Sequence, residues 1–141
     1  MRVDVAVEIA RPPQAVWPVM VDVERWHEWT ASITDIKRLE QSAFGVGSRV
    51  RIRQPRLAPV VWRVKEFEEA RFFTWETRSP GVATVARHAV RARNGGSIVE
   101  LTIDQTGLLA PLLALLLRKI TRRYMEMEAQ GLKRRCEGST T

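Results

Sequence analysis

Residues 108–137 read LLAPLLALLLRKITRRYMEMEAQGLKRRCE, and the way this stretch is buried decides the fold. It opens almost wholly apolar through Leu117 and then turns amphipathic, with Leu109, Leu113, Leu116, Ile120, Tyr124 and Met127 stepping by three or four residues. That spacing predicts a long helix with one face committed to burial. Each fully buried large side chain contributes about 1.5 to 3 kcal/mol, so the stripe is among the largest stabilising features open to a chain of 141 residues. Something concave must cover it. The first turns are more apolar than a single packing face requires. The helix is therefore expected to roof an apolar cavity in its N-terminal half and to pack as an ordinary helix beyond, with the surplus Leu108, Leu112 and Leu115 lining a portal or an oligomer contact.

The preceding residues supply the cover. Residues 2–10 alternate, with Val3, Val5, Val7 and Ile9 on one side, as a half-buried strand does. Arg11-Pro12-Pro13 stops the strand and opens a short helix carrying Val16, Val19 and Met20, which Pro18 shortens or bends. Asp22 is placed to cap a second short helix over 24–32 that sets Trp26 and Trp29 on one face. Strand patterns follow at 33–40, 49–54, 60–65, 72–77, 82–93 and 98–106, most of them separated by short turns. Asn94-Gly95-Gly96 is the strongest hairpin signal. Gly45 and Gly47 form a G-x-G, but the third glycine and the following helix of a nucleotide loop are missing. Short turns imply antiparallel neighbours, and strands segregated from a long helix imply an α+β layer arrangement. The expected architecture is one domain over residues 1–141, a strongly bent antiparallel sheet wrapped around the terminal helix.

Composition narrows the function classes. At 45% hydrophobic and 28% charged the chain has ordinary globular composition, and the apolar run ending at Arg118 and Lys119 is well short of the roughly 20 residues that span a bilayer. Arg2, Asp4 and Glu8 interrupt the amino terminus where a signal peptide would be apolar, and the single Cys136 excludes an intrachain disulfide; both point to a cytoplasmic protein. His27 and His88, far apart in the chain, are the only histidines, so neither a metal nor any other cofactor is expected. No G-x-S-x-G surrounds a serine. A net charge of +7 raises an anionic membrane, ribosome or RNA as partner, against the plainer reading of a solvated basic surface.

Taken together, V-x-V-x-I-x-R-P-P-x-x-V-W from Val5, the W-x-x-W of Trp26 and Trp29, the Phe44-Gly-Val-Gly-Ser48 turn, W-R-V-x-E-F at 62–67, R-F-F-T-W-E at 71–76 and the late G-L-K-R-R-x-E resemble the polyketide cyclase/dehydrase and lipid-transport proteins. These belong to the START and Bet v 1-like superfamily, also called SRPBCC. The resemblance runs over essentially the whole chain. It implies a helix-grip fold: a seven-stranded curved antiparallel sheet gripping the long C-terminal helix, two short helices after the first strand, and a deep apolar cavity between sheet and helix. It says little about chemistry, because the superfamily mixes carriers, binders and enzymes.

In such a cavity the inward strand faces give the wall: Val50, Ile52, Trp62, Val64, Phe73, Trp75, Ala86, His88, Val90, Leu101 and Ile103. Trp26 and Trp29 are expected near the mouth, Leu112, Leu113 and Leu116 on the helix side, and Tyr124 at the inner end. Such a pocket suits a hydrophobic small molecule, a lipid, isoprenoid or aromatic polyketide-like metabolite. His88 shares its face with Ala86 and Val90, so it is the candidate acid/base of a cyclase or dehydratase, or a donor that orients a ligand, or a core histidine. No carboxylate is placed by the sequence to orient it. The outward Arg49, Arg51, Arg53, Arg63, Lys65, Arg87, Arg91 and Arg93 make the alternative, a module docking an anionic membrane or ribosome through its convex sheet face; DNA is not expected, and no interleaved aromatics favour RNA. A homodimer is the remaining partner expectation.

Overall fold

The computed structural model describes residues 1–138. Seven strands form one sheet: β1 (Arg2–Ile9), β2 (Asp35–Arg38), β3 (Arg49–Arg53), β4 (Val60–Glu68), β5 (Phe72–Ser79), β6 (Val82–Arg93) and β7 (Gly96–Thr106). Every neighbouring pair is antiparallel, in the order β1-β7-β6-β5-β4-β3-β2. A short helix α1 (Pro13–Val21) and a 3-10 helix (Val23–Glu28) carry the chain from β1 at one edge to β2 at the other, and α2 (Ala110–Gly138) packs against the sheet's inner face. This is the helix-grip arrangement.

Alternation sets the two faces. On β6, Val82, Thr84, Ala86, His88 and Val90 are buried while Arg87, Arg91 and Arg93 are exposed. The β6–β7 hairpin turns through Asn94 at φ 52° and Gly95 at φ 80°, the paired left-handed residues that match a two-residue turn to the twist of its strands. Between Val64 and Glu66 the β4–β5 register shifts, so Lys65 and Glu66 both face outward before Phe67 returns inward.

The two halves of α2 are held differently. In the C-terminal half Met125, Ala129, Leu132 and Cys136 are buried, and Gly131 lies so close to the Trp29 carbonyl that a methyl group there would overlap it. Two hydrogen bonds tie this end to β1: Ala10 N–H donates to Glu137 Oε2 at 2.8 Å and Lys133 Nζ donates to the Glu8 carbonyl at 2.7 Å. At the other end, Leu109 N–H donates to the Gly81 carbonyl at 2.9 Å, where Gly107 at φ 114° crosses the turn containing Gly81. Between these anchors only Ala110 is buried before Tyr124. The helix bridges a gap there.

Two local expectations change. Residues 24–32 do not form an α-helix; the 3-10 helix ends at Glu28, so Trp29 follows it at φ −127° and meets Trp26 ring to ring at 5.7 Å without sharing a helical face. Asp22 makes no capping bond and instead pairs with Arg25 at 3.3 Å. Pro18 lies inside α1, which is nine residues long and so extends only about a turn to either side of it, with Val16, Trp17 and Met20 buried.

Candidate functional site

Between the inner sheet face and α2 lies a cavity of about 800 Å³. Small-molecule sites run roughly 300–1,000 Å³, so the space suits one medium-sized guest. The sheet contributes Ile52, Trp62, Trp75, Ala86, Leu101 and Ile103, and the 3-10 helix contributes Trp26. From α2 come Leu113, Leu117, Thr121, Tyr124, Met125 and Glu128. Trp62 and Trp75 stack at 5.7 Å with 26° between their planes, giving the wall a flat aromatic panel.

Other residues expected in the wall stand behind it. Val50, Val64 and Phe73 are fully buried, and Val90 and Trp29 nearly so; none of the five lines the space, because the inner face is packed solid wherever α1, the 3-10 helix or the C-terminal half of α2 comes down on it. Leu112 and Leu116 are a correction of another kind. They are 52% and 66% exposed and turn away from the cavity, since the inward stripe of α2 runs Leu113, Leu117, Thr121, Tyr124 and Glu128, one residue out of phase with the sequence expectation at Leu116.

Polar side chains share this wall with the apolar ones, among them His88, Gln105, Thr121 and Glu128. His88 is 5% exposed, stacked on Phe73 at 4.6 Å and 10°, with Trp26 and Trp75 at 5.2 and 5.3 Å. Its Nε2 lies 3.2 Å from Glu128 Oε1, and Nδ1 is buried without a hydrogen-bond partner. A neutral imidazole with its proton on Nε2, toward the carboxylate, would present Nδ1 as a lone-pair acceptor. Sequence reasoning missed Glu128, together with Leu117, Thr121, Met125 and Gln105; the signal for Glu128 was its spacing of four from Tyr124 and seven from Thr121 on the inward helix stripe. Further along, Gln105 lines the cavity with a second buried acceptor, Oε1, unpaired, while its Nε2 donates to Thr84 Oγ1 at 3.4 Å. Tyr124 OH donates to the Pro55 carbonyl at 2.5 Å and so straps the 54–59 segment to α2.

The outer sheet face is basic but partly neutralised. Arg49 pairs with Glu40 at 3.0 Å, Arg91 with Glu100 at 3.2 Å and Arg93 with Glu8 at 3.3 Å, and Arg87 lies over the Phe72 ring at 4.1 Å. Register sets Arg49 opposite Arg63 and Lys37 opposite Arg51, two like-charge pairs. Burial pushes the Cys136 thiol up to about 11, so it is an inert packing residue. No helix of the described residues is long and apolar enough to cross a membrane.

A family profile described as polyketide cyclase/dehydrase and lipid transport matches residues 1–137. Among solved structures, the Zhui aromatase/cyclase of a Streptomyces species superposes with a TM-score of 0.82 at 16% identity, over 100% of this chain and 96% of that one. A Thermus thermophilus protein gives 0.80 at 17%, covering 100% of both chains, and a START superfamily protein of Mycobacterium smegmatis gives 0.79 at 17%, covering 99% of both. At these identities the likeness is one of fold. No curated protein sequence matches the chain.

Proposed function

The chain belongs to the polyketide cyclase/dehydrase and lipid-transport family, and from that premise we propose that it binds one hydrophobic small molecule, a lipid, isoprenoid or aromatic polyketide-like metabolite, in the cavity beneath α2. The observation that carries the reading is a tryptophan-panelled space of about 800 Å³ lined by His88, whose Nδ1 is buried and left unpaired by the protein. A buried polar atom without a partner is costly, and a guest's hydroxyl or N–H removes that cost. Gln105 Oε1 is a second such acceptor, and Gln105 pairs with Thr84, four residues from His88 along β6. At about 3.3 Å per residue the strand positions that carry the two acceptors lie on the order of 13 Å apart along the sheet. The favoured guest is elongated and apolar, with a hydrogen-bond donor toward each end.

The test compares 2-naphthol with naphthalene by titration. Saturable one-to-one binding with 2-naphthol preferred by about 2- to 10-fold, the worth of one hydrogen bond, supports the reading, and His88→Leu should abolish that preference. Absence of saturable binding by either probe removes it.

The Glu128 carboxylate favours a second reading, catalysis of the cyclase or dehydratase kind. His88 Nδ1 would take a proton from carbon beside a guest's carbonyl, Glu128 would stabilise the imidazolium, and the imidazolium would return the proton to a departing hydroxyl, releasing water. Its signature is deuterium exchange at that carbon in a bound β-hydroxyketone, slowed about 10²-fold or more in His88→Gln. Unchanged exchange in His88→Gln leaves binding as the whole function.

A further inference from the structure

The start of α2 presents an apolar surface that the chain does not cover. Leu108 is 95% exposed, Leu112 52%, Leu115 82% and Leu116 66%. Leu115 and Leu116 lie three and four residues after Leu112 on the side of α2 away from Leu113, Leu117 and Thr121, which face the cavity, and Leu108 stands in the turn just before the helix. Continuing along the same outward stripe come Lys119, Arg122 and Arg123, all exposed, with Arg118 exposed beside them. Arg118, Lys119 and Arg123 form no ion pair with the described residues, while Arg122 reaches back to β1 and donates from Nη1 to the Asp4 carbonyl at 3.5 Å. The first acid on the stripe is Glu126.

We propose that this face docks α2 onto an anionic phospholipid bilayer, with the leucines below the headgroups and Arg118, Lys119 and Arg123 against the phosphates. An apolar tip followed at once by a cationic band is the pattern that an interfacial helix needs, because the bilayer offers hydrocarbon and negative charge in that order along its normal. A second copy of the chain on the same face would set these cations against leucines or against one another, with no carboxylate on the stripe ahead of Glu126 to receive them. The docked patch also adjoins the cavity. Leu109 packs over Gly81, whose neighbours Ser79 and Val82 line the space together with Leu113 of the same helix. An apolar guest would then pass between bilayer and cavity without crossing water. That last step rests on the proposed function; the docking itself does not.

The experiment is co-sedimentation of the full chain with vesicles of phosphatidylcholine alone and of phosphatidylcholine mixed with phosphatidylglycerol. The chain should bind the mixed vesicles, weaken as salt rises, and ignore the neutral ones. Leu112→Gln/Leu115→Gln/Leu116→Gln, which alters exposed side chains, should lower partitioning by at least ~10-fold while leaving 2-naphthol binding in solution unchanged. Lys119→Glu/Arg123→Glu should lower it too and flatten the salt dependence. No binding to mixed vesicles at low salt overturns the proposal. So does binding that survives the leucine substitutions, which would move the contact to the basic sheet face, or a dimer in sedimentation equilibrium that those substitutions dissolve. Failure of 2-naphthol to bind, with vesicle binding intact, would strike the guest reading alone.

Discussion

Filling the space from the helix side separates a hollow from a packed core. Thr121 lies on the inward stripe of α2, half-buried and lining the cavity, and Thr121→Phe projects a ring into it. Phenylalanine and threonine have similar helix propensities, so the backbone is neutral to the exchange. If the space is open, the ring buries apolar surface without displacing anything, and the gain lies between zero and the ~1.5 to 3 kcal/mol of a fully buried large side chain. Val64 is the contrast, because it is 0% exposed and outside the lining. Val64→Phe must push neighbours aside and should cost about 1 to 3 kcal/mol. Urea denaturation of the guest-free proteins reads both. The expected result is Thr121→Phe at or above wild-type stability, with weakened 2-naphthol binding, and Val64→Phe clearly below. Equal destabilisation by the two would mean that the region beneath α2 is as tightly filled as the sheet behind it, and the reasoning would fail.

Gly131→Ala drives a methyl into the Trp29 carbonyl; the overlap should outweigh the ~1 kcal/mol that alanine gains in helix propensity, giving a net loss of about 1 to 2 kcal/mol in denaturant unfolding. Tyr124→Phe removes the bond to the Pro55 carbonyl and should cost about 1 kcal/mol, with faster amide exchange confined to residues 54–59 and their neighbours. Cys136, raised from 9.0 to about 11, carries about one hundredth of the ordinary thiolate at pH 8, so a thiol reagent should modify the native protein at least that much more slowly than the urea-unfolded chain. Because its folded value is raised, the Cys136 contribution to stability is present below pH 9 and is lost as pH climbs through about 11, which unfolding curves at pH 8 and 10.5 should register as a decline.

Much of the fold was legible because period-2 alternation is unambiguous in Val3 to Ile9, in Ala86 to Val90 and in Val99 to Ile103, and because Asn94-Gly95 admits few alternatives to a tight hairpin. The inward position of His88 followed from the same alternation. The phase of α2 did not. Every residue from Leu108 to Leu117 is apolar, so no polar flank marks the buried side, and the expectation puts Leu116 inward where Leu117 belongs. With the phase shifted, Thr121 and Glu128 are on the inner stripe, and the carboxylate facing His88 went unseen. Alternation also says which side chains point in, not where the helix descends on them. Val50, Val64 and Phe73 therefore belong to the packed part of the inner face, and Ile52, Trp62 and Trp75 to the hollow.

The central claim is that an apolar guest occupies the space between the sheet and the N-terminal half of α2. Crystals soaked with 6-iodo-2-naphthol test it most directly, since the iodine's anomalous signal locates the ring system and the hydroxyl orients it. The account expects one strong peak inside the cavity, with the rings against Trp62 and Trp75 and the hydroxyl within hydrogen-bond distance of His88 Nδ1. Iodine found only on the exposed Leu112, Leu115 and Leu116 surface, with side chains filling the interior, would contradict it.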